Sequence, residues 1–249
     1  MYNYHIKLIK KIMLSILIPV RNEYENLDEI ERIFRESLQE INHEVILIND
    51  FSTDDTFNKA KEISKKNNNF KILDNKKKGL GSAINSGINN SIGDFICIMM
   101  ADLSDDINDL KKYYDLIKNH NIDAVFGSRF IKDSKVTNYP KQKLILNRIF
   151  NFFVKLIFLN SYNDYTNAFK IYKSSVLKSF LPLVSESFNI FLEMPLKVIS
   201  RGYSFEVIPI SWVTRKKGKA KFKIKELRSK YLFTLIYCFI EKILLYKKK

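Results

Sequence analysis

Short apolar runs alternate with amphipathic stretches along the first half of the chain, and this alternation restricts the fold more than any other sequence feature. Leu14 to Val20 reads LSILIPV, a strand-like run, and after Arg21, Asn22 and Glu23 a helical pattern runs from about Glu25 to Ile41. Glu44 to Asp50 (EVILIND) is a second strand, and Ser52, Thr53 and Asp54 offer caps for a helix reaching about Asn67. Phe70 to Leu73 makes a brief strand, Leu80 to Ser91 a helix entered through Gly79 and Gly81, and Asp94 to Met100 (DFICIMM) a continuous apolar strand. A helix near Asp106 to Asn119 and a strand at Asp123 to Gly127 extend the series. Parallel neighbours need right-handed crossovers, so the pattern predicts an α/β fold with a mostly parallel, doubly wound sheet flanked by helices. Ligands bind such sheets at the carboxyl ends of the strands, where Asp50, Asp102 and Arg129 all fall.

A chain of 249 residues with 46% apolar content can bury one substantial core. Cys97 and Cys238 are far apart and lack CxxC or His-rich spacing, which argues against a disulfide framework or a zinc site and for a reducing compartment. Residues 1–13 read as an N-terminal extension; they carry Lys7, Lys10 and Lys11 but no long apolar core, so a cleaved signal peptide is not expected. The net charge is +15, and +11 of it lies between Arg215 and Lys249. A basic tail can attract nucleic acid, anionic lipid or a phosphorylated ligand, or simply be solvated. Here it is interleaved with long aliphatics rather than with stacking aromatics on a polar face, which disfavours nucleic acid.

The second half contains two unusually apolar amphipathic stretches. Lys143 to Leu159 is polar at 143, 147, 148, 151 and 155, a helical stripe, and almost wholly apolar elsewhere; it is either buried or laid in a bilayer interface, and the interfacial helix is assigned to 143–160. As a helix, Tyr231 to Tyr246 would extend about 24 Å, short of the roughly 30 Å hydrocarbon core, and Glu241 and Lys242 interrupt it. With lysines on both sides, the 223–249 segment suits a basic helix lying on an anionic membrane surface; the competing reading packs it on the domain or against a twin subunit in a homo-oligomer.

No Ser-His-Asp pattern, P-loop or dinucleotide fingerprint is present, and Gly79-Leu80-Gly81 lacks the third glycine of GxGxxG. Acidic residues near strand ends with basic residues later in the chain suit a nucleotide diphosphate: carboxylates hold a divalent ion or accept from base and ribose, and cations neutralise phosphates.

The ordered set Pro19-Val20-Arg21-Asn22-Glu23, Ile48-Asn49-Asp50-Phe51-Ser52-Thr53-Asp54, Gly79-Leu80-Gly81-Ser82-Ala83 and Met100-Ala101-Asp102-Leu103-Ser104 resembles the signature of family 2, GT-A fold glycosyltransferases. Gly127-Ser128-Arg129-Phe130, Asp164 to Lys170, Glu193, Glu206 to Ile210 and Arg215 to Phe222 resemble the dolichyl-phosphate (polyprenyl-phosphate) mannosyl- and glucosyltransferase branch. The match covers roughly 14–222, taken as the catalytic domain. It implies a GT-A, Rossmann-like sheet with membrane-interface helices in the C-terminal half.

The resemblance also implies roles. Pro19, Arg21, Glu23, Asp50, Ala101 and Asp102 would line the nucleotide pocket, with Asp50 accepting from a base N–H and Asp54 serving as a helix cap. Asp102 would be the ligand of Mg2+ or Mn2+ that bridges the diphosphate. Here the chain departs from the family, because Met100 stands where the first carboxylate of Asp-x-Asp belongs and a thioether is a poor ligand for a hard cation. Asp105 and Asp106 lie further on and suit helix capping better than metal binding. Arg129, Arg215 and Lys221 would contact the diphosphate and the lipid phosphate, a guanidinium holding two oxygens at once.

No general base is evident, although Asp164 or Glu193 could serve a hydroxyl acceptor. A phosphate monoester, with a second pKa of about 6, is already ionised and needs no base. The resemblance therefore implies inverting transfer of a hexose, mannose or glucose, from a GDP- or UDP-sugar, with polyprenyl phosphate as the acceptor that the missing base agrees with, by a peripheral or monotopic enzyme on the cytoplasmic face of the membrane. The alternatives are a family 2 enzyme with a hydroxyl acceptor in surface polysaccharide or glycolipid synthesis, and a degenerate nucleotide-sugar or membrane-binding module without turnover.

Overall fold

The computed structural model of the protein describes residues 12–215 and 224–246. Its framework is a sheet of seven strands: β1 (Leu14–Val20), β2 (His43–Asn49), β3 (Phe70–Asp74), β4 (Phe95–Ile98), β5 (Ala124–Ser128), β7 (Lys170–Lys173) and β8 (Phe205–Pro209), in the order β3-β2-β1-β4-β7-β5-β8. All neighbours are parallel except β7, which runs antiparallel between β4 and β5. The mostly parallel sheet expected from the sequence is thus present, with one reversed strand that the sequence pattern did not reveal.

Alternation along the strands builds two cores. Ile16, Ile18, Val45 and Leu47 face one layer, where α1 (Tyr24–Ser37), α2 (Thr56–Lys66) and α4 (Ile107–Asn119) bury Leu27, Ile30, Phe34, Ala60, Ile63, Leu110 and Tyr113. Leu17, Ile46 and Ile48 face the opposite layer with Ala83, Ile84 and Ile88 of α3 (Leu80–Asn90), Val154 and Phe158 of α5 (Lys141–Phe158), and residues of α6 (Ser174–Lys178) and α7 (Ile190–Ser200). Every residue of β1 is buried because both faces are covered, and each such Leu or Ile contributes about 1.5–3 kcal/mol of transfer free energy. Of the caps expected from the sequence, Asp106 is present, accepting from the backbone N–H of Asn108 at the start of α4; at α2 the N-cap position is held by Asp55 without a side-chain cap bond, and Asp54, one residue earlier, accepts from the Thr56 N–H.

A second, two-stranded sheet pairs β6 (Lys135–Thr137) with β9 (Ser211–Val213), which continues from β8 past the carboxyl rim of the main sheet. Its anchors, Val213 N–H to the Ser104 carbonyl at 3.0 Å and a bridge between Asp105 and Trp212, hold this strand over the loop that follows β4.

The final helix, α8 (Ile224–Tyr246), contains the apolar Tyr231–Tyr246 stretch and packs on α7. Glu241 and Lys242, expected to interrupt its apolar surface, are instead turned into the protein. Glu241 is held by Lys197 at 2.9 Å and Arg201 at 2.7 Å, and Lys242 donates to the Phe158 carbonyl. The outer face keeps Leu232, Phe233, Ile236, Ile240 and Leu244 exposed, as α5 keeps Ile145, Leu146, Ile149, Phe152, Phe153 and Leu156. No helix among the described residues is long and apolar enough to cross a membrane.

Candidate active site

Asp50 follows β2 and Asp102 follows β4, and only β1 separates those strands, so both aspartates stand on the same carboxyl rim. This placement comes from topology: parallel β1, β2 and β4 all end in the same direction. Asp50 is buried, its Oδ1 accepting from Gly79 N–H at 2.7 Å and from Asn75 Nδ2 at 3.0 Å. Oδ2 takes no hydrogen bond from the described residues, which leaves an acceptor where a base N–H was expected.

The two loops beside it are tied together. Asn22, at φ 50°, receives the Thr53 N–H on its Oδ1 at 2.7 Å, and its own N–H donates to Ser52 Oγ at 3.1 Å. Pro19 is the buried penultimate residue of β1, Arg21 is half-buried at the rim, and Glu23 is buried with its Oε2 accepting from Asn26. Glu23 also lines a cavity of about 170 Å³ with Asn22, Tyr24, Glu25, Asn26 and Asp54. Phe51, which sequence reading passed over, holds a left-handed φ of 56° beside Asp50 and is 43% exposed. A bulky residue in that conformation was not signalled by composition or periodicity.

Ala101 is buried under the rim, and Asp102 is partly accessible, its side chain 12% exposed. Asp102 Oδ1 accepts from Ser104 N–H at 3.1 Å, and Oδ2 accepts from Arg215 Nη2 at 2.6 Å. Arg215 reaches it because β9 carries the chain back over the rim. Lys143, in the first turn of α5, lies in the same field: burial lowers its pKa first, Arg129 and Arg215 lower it further, and Asp102 opposes them. Sequence reading treated Lys143 only as part of a polar stripe, since nothing local told which cation of that stripe would face the rim.

For Arg129 the structure gives a different first role from the expected phosphate contact. Its Nε and Nη2 donate to the two carboxylate oxygens of Asp164 at 2.8 and 2.7 Å, with side chains 7% and 0% exposed. Phe130, Tyr139 and Trp212 surround the guanidinium at 5.3 to 5.8 Å. Burial alone would lower the Arg129 pKa, but Asp164 outweighs it and holds it raised. Beneath this pair Lys170 is fully buried and donates to the Tyr165 and Asn167 carbonyls; burial brings its pKa down to about 7. Glu193 is likewise spent on structure, accepting from Val184 and Ser185 N–H at 3.0 and 2.8 Å. Lys221 lies outside the described residues.

The oxygen donors around Asp102 decide what cation they could hold. Among the described residues no three His, Cys, Asp or Glu side chains form a metal-binding group, and Met100 contributes no oxygen. Ser104 Oγ and Asp105 Oδ1 are, however, sealed from solvent without a hydrogen-bond partner among the described residues. Burial, then the Asp102 charge, pushes the Asp105 pKa up to about 7. One accessible carboxylate beside two orphaned oxygens fits a hard cation held chiefly by phosphate oxygens, as Mg2+ commonly is, rather than one caged by protein.

A separate groove of about 530 Å³ runs along the outer side of α5, lined by Phe130, Arg148, Ile149, Phe152, Phe153, Lys155 and Asn163. It adjoins the Arg129 loop through Phe130 and combines apolar walls with two cations.

Comparison with known proteins agrees with this geometry. A family model described as Glycosyl transferase family 2 matches residues 15–181. The chain is 32% identical over 214 residues to a dolichol-phosphate mannosyltransferase of Pyrococcus furiosus, covering 85% of this chain but only 59% of that relative's length. It is 24% identical over 220 residues to a polyprenol monophosphomannose synthase of Mycolicibacterium smegmatis, covering 86% of this chain and 82% of the relative. A solved glucosyl-3-phosphoglycerate synthase from Mycobacterium tuberculosis, in complex with Mn2+, UDP and glucosyl-3-phosphoglycerate, superposes with a TM-score of 0.70 at 14% identity, over 91% of this chain and 80% of that one. This last likeness establishes the GT-A type of fold.

Proposed function

The chain belongs to glycosyl transferase family 2, and from that premise we propose that it moves a hexosyl group, mannose or glucose, from a GDP- or UDP-sugar to a polyprenyl phosphate with inversion at the anomeric carbon. One observation carries the reading: Arg215 is bonded to the rim carboxylate Asp102, whose field also reaches Lys143, while both carboxylates that could have deprotonated a hydroxyl acceptor, Asp164 and Glu193, are locked in buried bonds. An ionised phosphate acceptor requires no such base. The names of the Pyrococcus and Mycolicibacterium relatives support the same acceptor class.

In this reading Pro19, Arg21, Glu23 and Asp50 hold the nucleoside end of the donor, with Asp50 Oδ2 accepting from the base. Ala101 and Asp102 underlie the diphosphate. Mg2+ or Mn2+ would take Asp102 as its side-chain ligand and supply charge stabilisation to the departing diphosphate. An acceptor phosphate oxygen attacks the anomeric carbon; the bond from that carbon to the β-phosphate oxygen breaks, and the nucleoside diphosphate leaves with the electron pair. Arg215, Lys143 and Lys221 stabilise the negative charge on the phosphoryl groups, and Arg129 contributes its field from behind Asp164.

The groove beside Arg148 and Lys155 suits a phosphorylated isoprenoid, its headgroup near the cations and its chain along Phe152 and Phe153. The outward apolar faces of α5 and α8 would rest on an anionic membrane surface, peripherally and on its cytoplasmic side. A twin subunit is the competing cover for the same faces. Incubating the protein with labelled GDP-mannose or UDP-glucose and polyprenyl phosphate in anionic vesicles should move label into the lipid fraction. Transfer only to water-soluble glycans would reject the acceptor.

A further inference from the structure

The rim holds two ion pairs of opposite character. Arg129 and Asp164 are 7% and 0% exposed and bonded through two parallel contacts, a fixed element of the core. Arg215 and Asp102 are 23% and 12% exposed and meet through Nη2 and Oδ2 at 2.6 Å, at the surface where a donor must arrive. The Arg215 backbone is set by its neighbours: Val213 N–H donates to the Ser104 carbonyl, Thr214 N–H to the Thr137 carbonyl, and Thr214 Oγ1 to the Asn138 carbonyl. These bonds fix the backbone, so an exchange at Asp102 would need rotation of the Arg215 side chain and not movement of the strand that carries it.

Charge and geometry set what it can exchange with. Asp102 Oδ1 accepts from Ser104 N–H and Oδ2 from Arg215 Nη2, so a cation reaching this carboxylate meets the positive guanidinium already bonded to it. Met100 supplies no second carboxylate, and Lys143 adds positive charge nearby, so a divalent cation alone meets repulsion with little compensation. A nucleotide diphosphate changes the balance, because its negative oxygens attract both the metal and a displaced guanidinium.

We propose that Arg215 is the counter-ion of Asp102 in the donor-free protein and gives up that carboxylate to the divalent cation accompanying a nucleotide diphosphate, moving onto a phosphoryl oxygen. This rests on the nucleotide-sugar reading above. It makes metal binding and nucleotide binding mutually dependent: the carboxylate is guarded when no donor is present, and the same arginine grips the donor once it arrives. The replacement of a carboxylate by Met100 strengthens the dependence, since it removes the charge that would let a metal compete unaided.

The test is Mn2+ binding to the full chain, read by the loss of the free-ion paramagnetic resonance signal. Without nucleotide, Arg215→Gln should bind Mn2+ about tenfold more tightly than the wild type, the size expected for releasing one charge-assisted bond. The gain should vanish when Asp102→Asn is added. With UDP or GDP present the order should reverse, because the variant lacks the phosphoryl contact. Equal donor-free affinities, no Mn2+ binding in either protein, or a gain that survives Asp102→Asn would overturn the exchange. If wild type binds neither UDP nor GDP with any metal, the nucleotide-sugar reading fails instead, and the donor-free comparison still decides the role of Arg215.

Discussion

Arg129 and Asp164, thirty-five residues apart, form a buried bidentate pair that also receives the Arg129 backbone N–H on Asp164 Oδ2 at 3.0 Å. The turn that follows β5 is thereby locked to the turn that precedes β7, beside the site. Removing one partner leaves an uncompensated charge in the core, which costs about 3–5 kcal/mol. Asp164→Ala should lower stability by that amount in urea unfolding, and a loss under 1 kcal/mol would show the pair to be dispensable.

Asp102 contrasts with this, being partly exposed and paired with a partly exposed arginine. Asp102→Ala should abolish sugar transfer while stability changes by less than about 1 kcal/mol. Full transfer by this variant would remove the carboxylate from the site.

Restoring the missing acid is a complementary change. Met100 is only partly buried at the edge of the core, so Met100→Asp should fold. It should keep or raise activity and steepen the dependence on Mg2+ or Mn2+ in a metal titration, because two carboxylates hold a hard cation better than one. A variant with unchanged metal dependence would mean that position 100 does not face the cation.

Gly81 is required by close packing. A Cβ built there would lie 1.8 Å from the Ser185 carbonyl oxygen and 2.8 Å from Glu186 Cα, both backbone atoms. Gly81→Ala should push the 181–189 loop away, cost about 1–3 kcal/mol and weaken nucleotide binding, since Gly79 beside it holds Asp50. Calorimetric titration with UDP and GDP would detect the loss; unaltered affinity and melting temperature would contradict the contact.

Glu241 couples α8 to acidity. Burial would raise its pKa, but hydrogen bonds from Lys197 and Arg201, with their charges, hold it below the usual carboxylate range. A depressed folded pKa means that its contribution is complete above the unfolded value and is lost as pH falls through the folded one. Amide exchange in α8 should therefore accelerate as pH drops below about 4.5, after correction for the intrinsic rate, and Glu241→Gln should remove that dependence. Identical profiles for the two proteins would exclude Glu241 as the clamp.

Much of the framework was legible in the chain itself. Leu14 to Val20 and Asp94 to Met100 announced buried strands by continuous apolar, β-branched composition, and α4 was announced by its Asp106 cap. β7 was not, because Lys170–Lys173 is four residues with a lysine at each end, and its first lysine is buried only through the Tyr165 and Asn167 carbonyls beneath the Arg129 pair. Glu241 and Lys242 looked like a break in an apolar surface because sequence periodicity cannot tell which neighbour will claim a charge.

By itself the sequence determined the α/β sheet, the acids at its strand ends and the family to which they belong, because local periodicity and ordered motifs are properties of consecutive residues. Tertiary structure alone decided which cation meets which carboxylate. Arg129 was drawn inward to Asp164, Arg215 was carried back over 113 positions to Asp102, and Lys143 came into the field of Asp102. Those assignments depend on where β9 and α5 return to the rim, and a side chain's electrostatic partner is set by distance in space, which no spacing along the chain encodes.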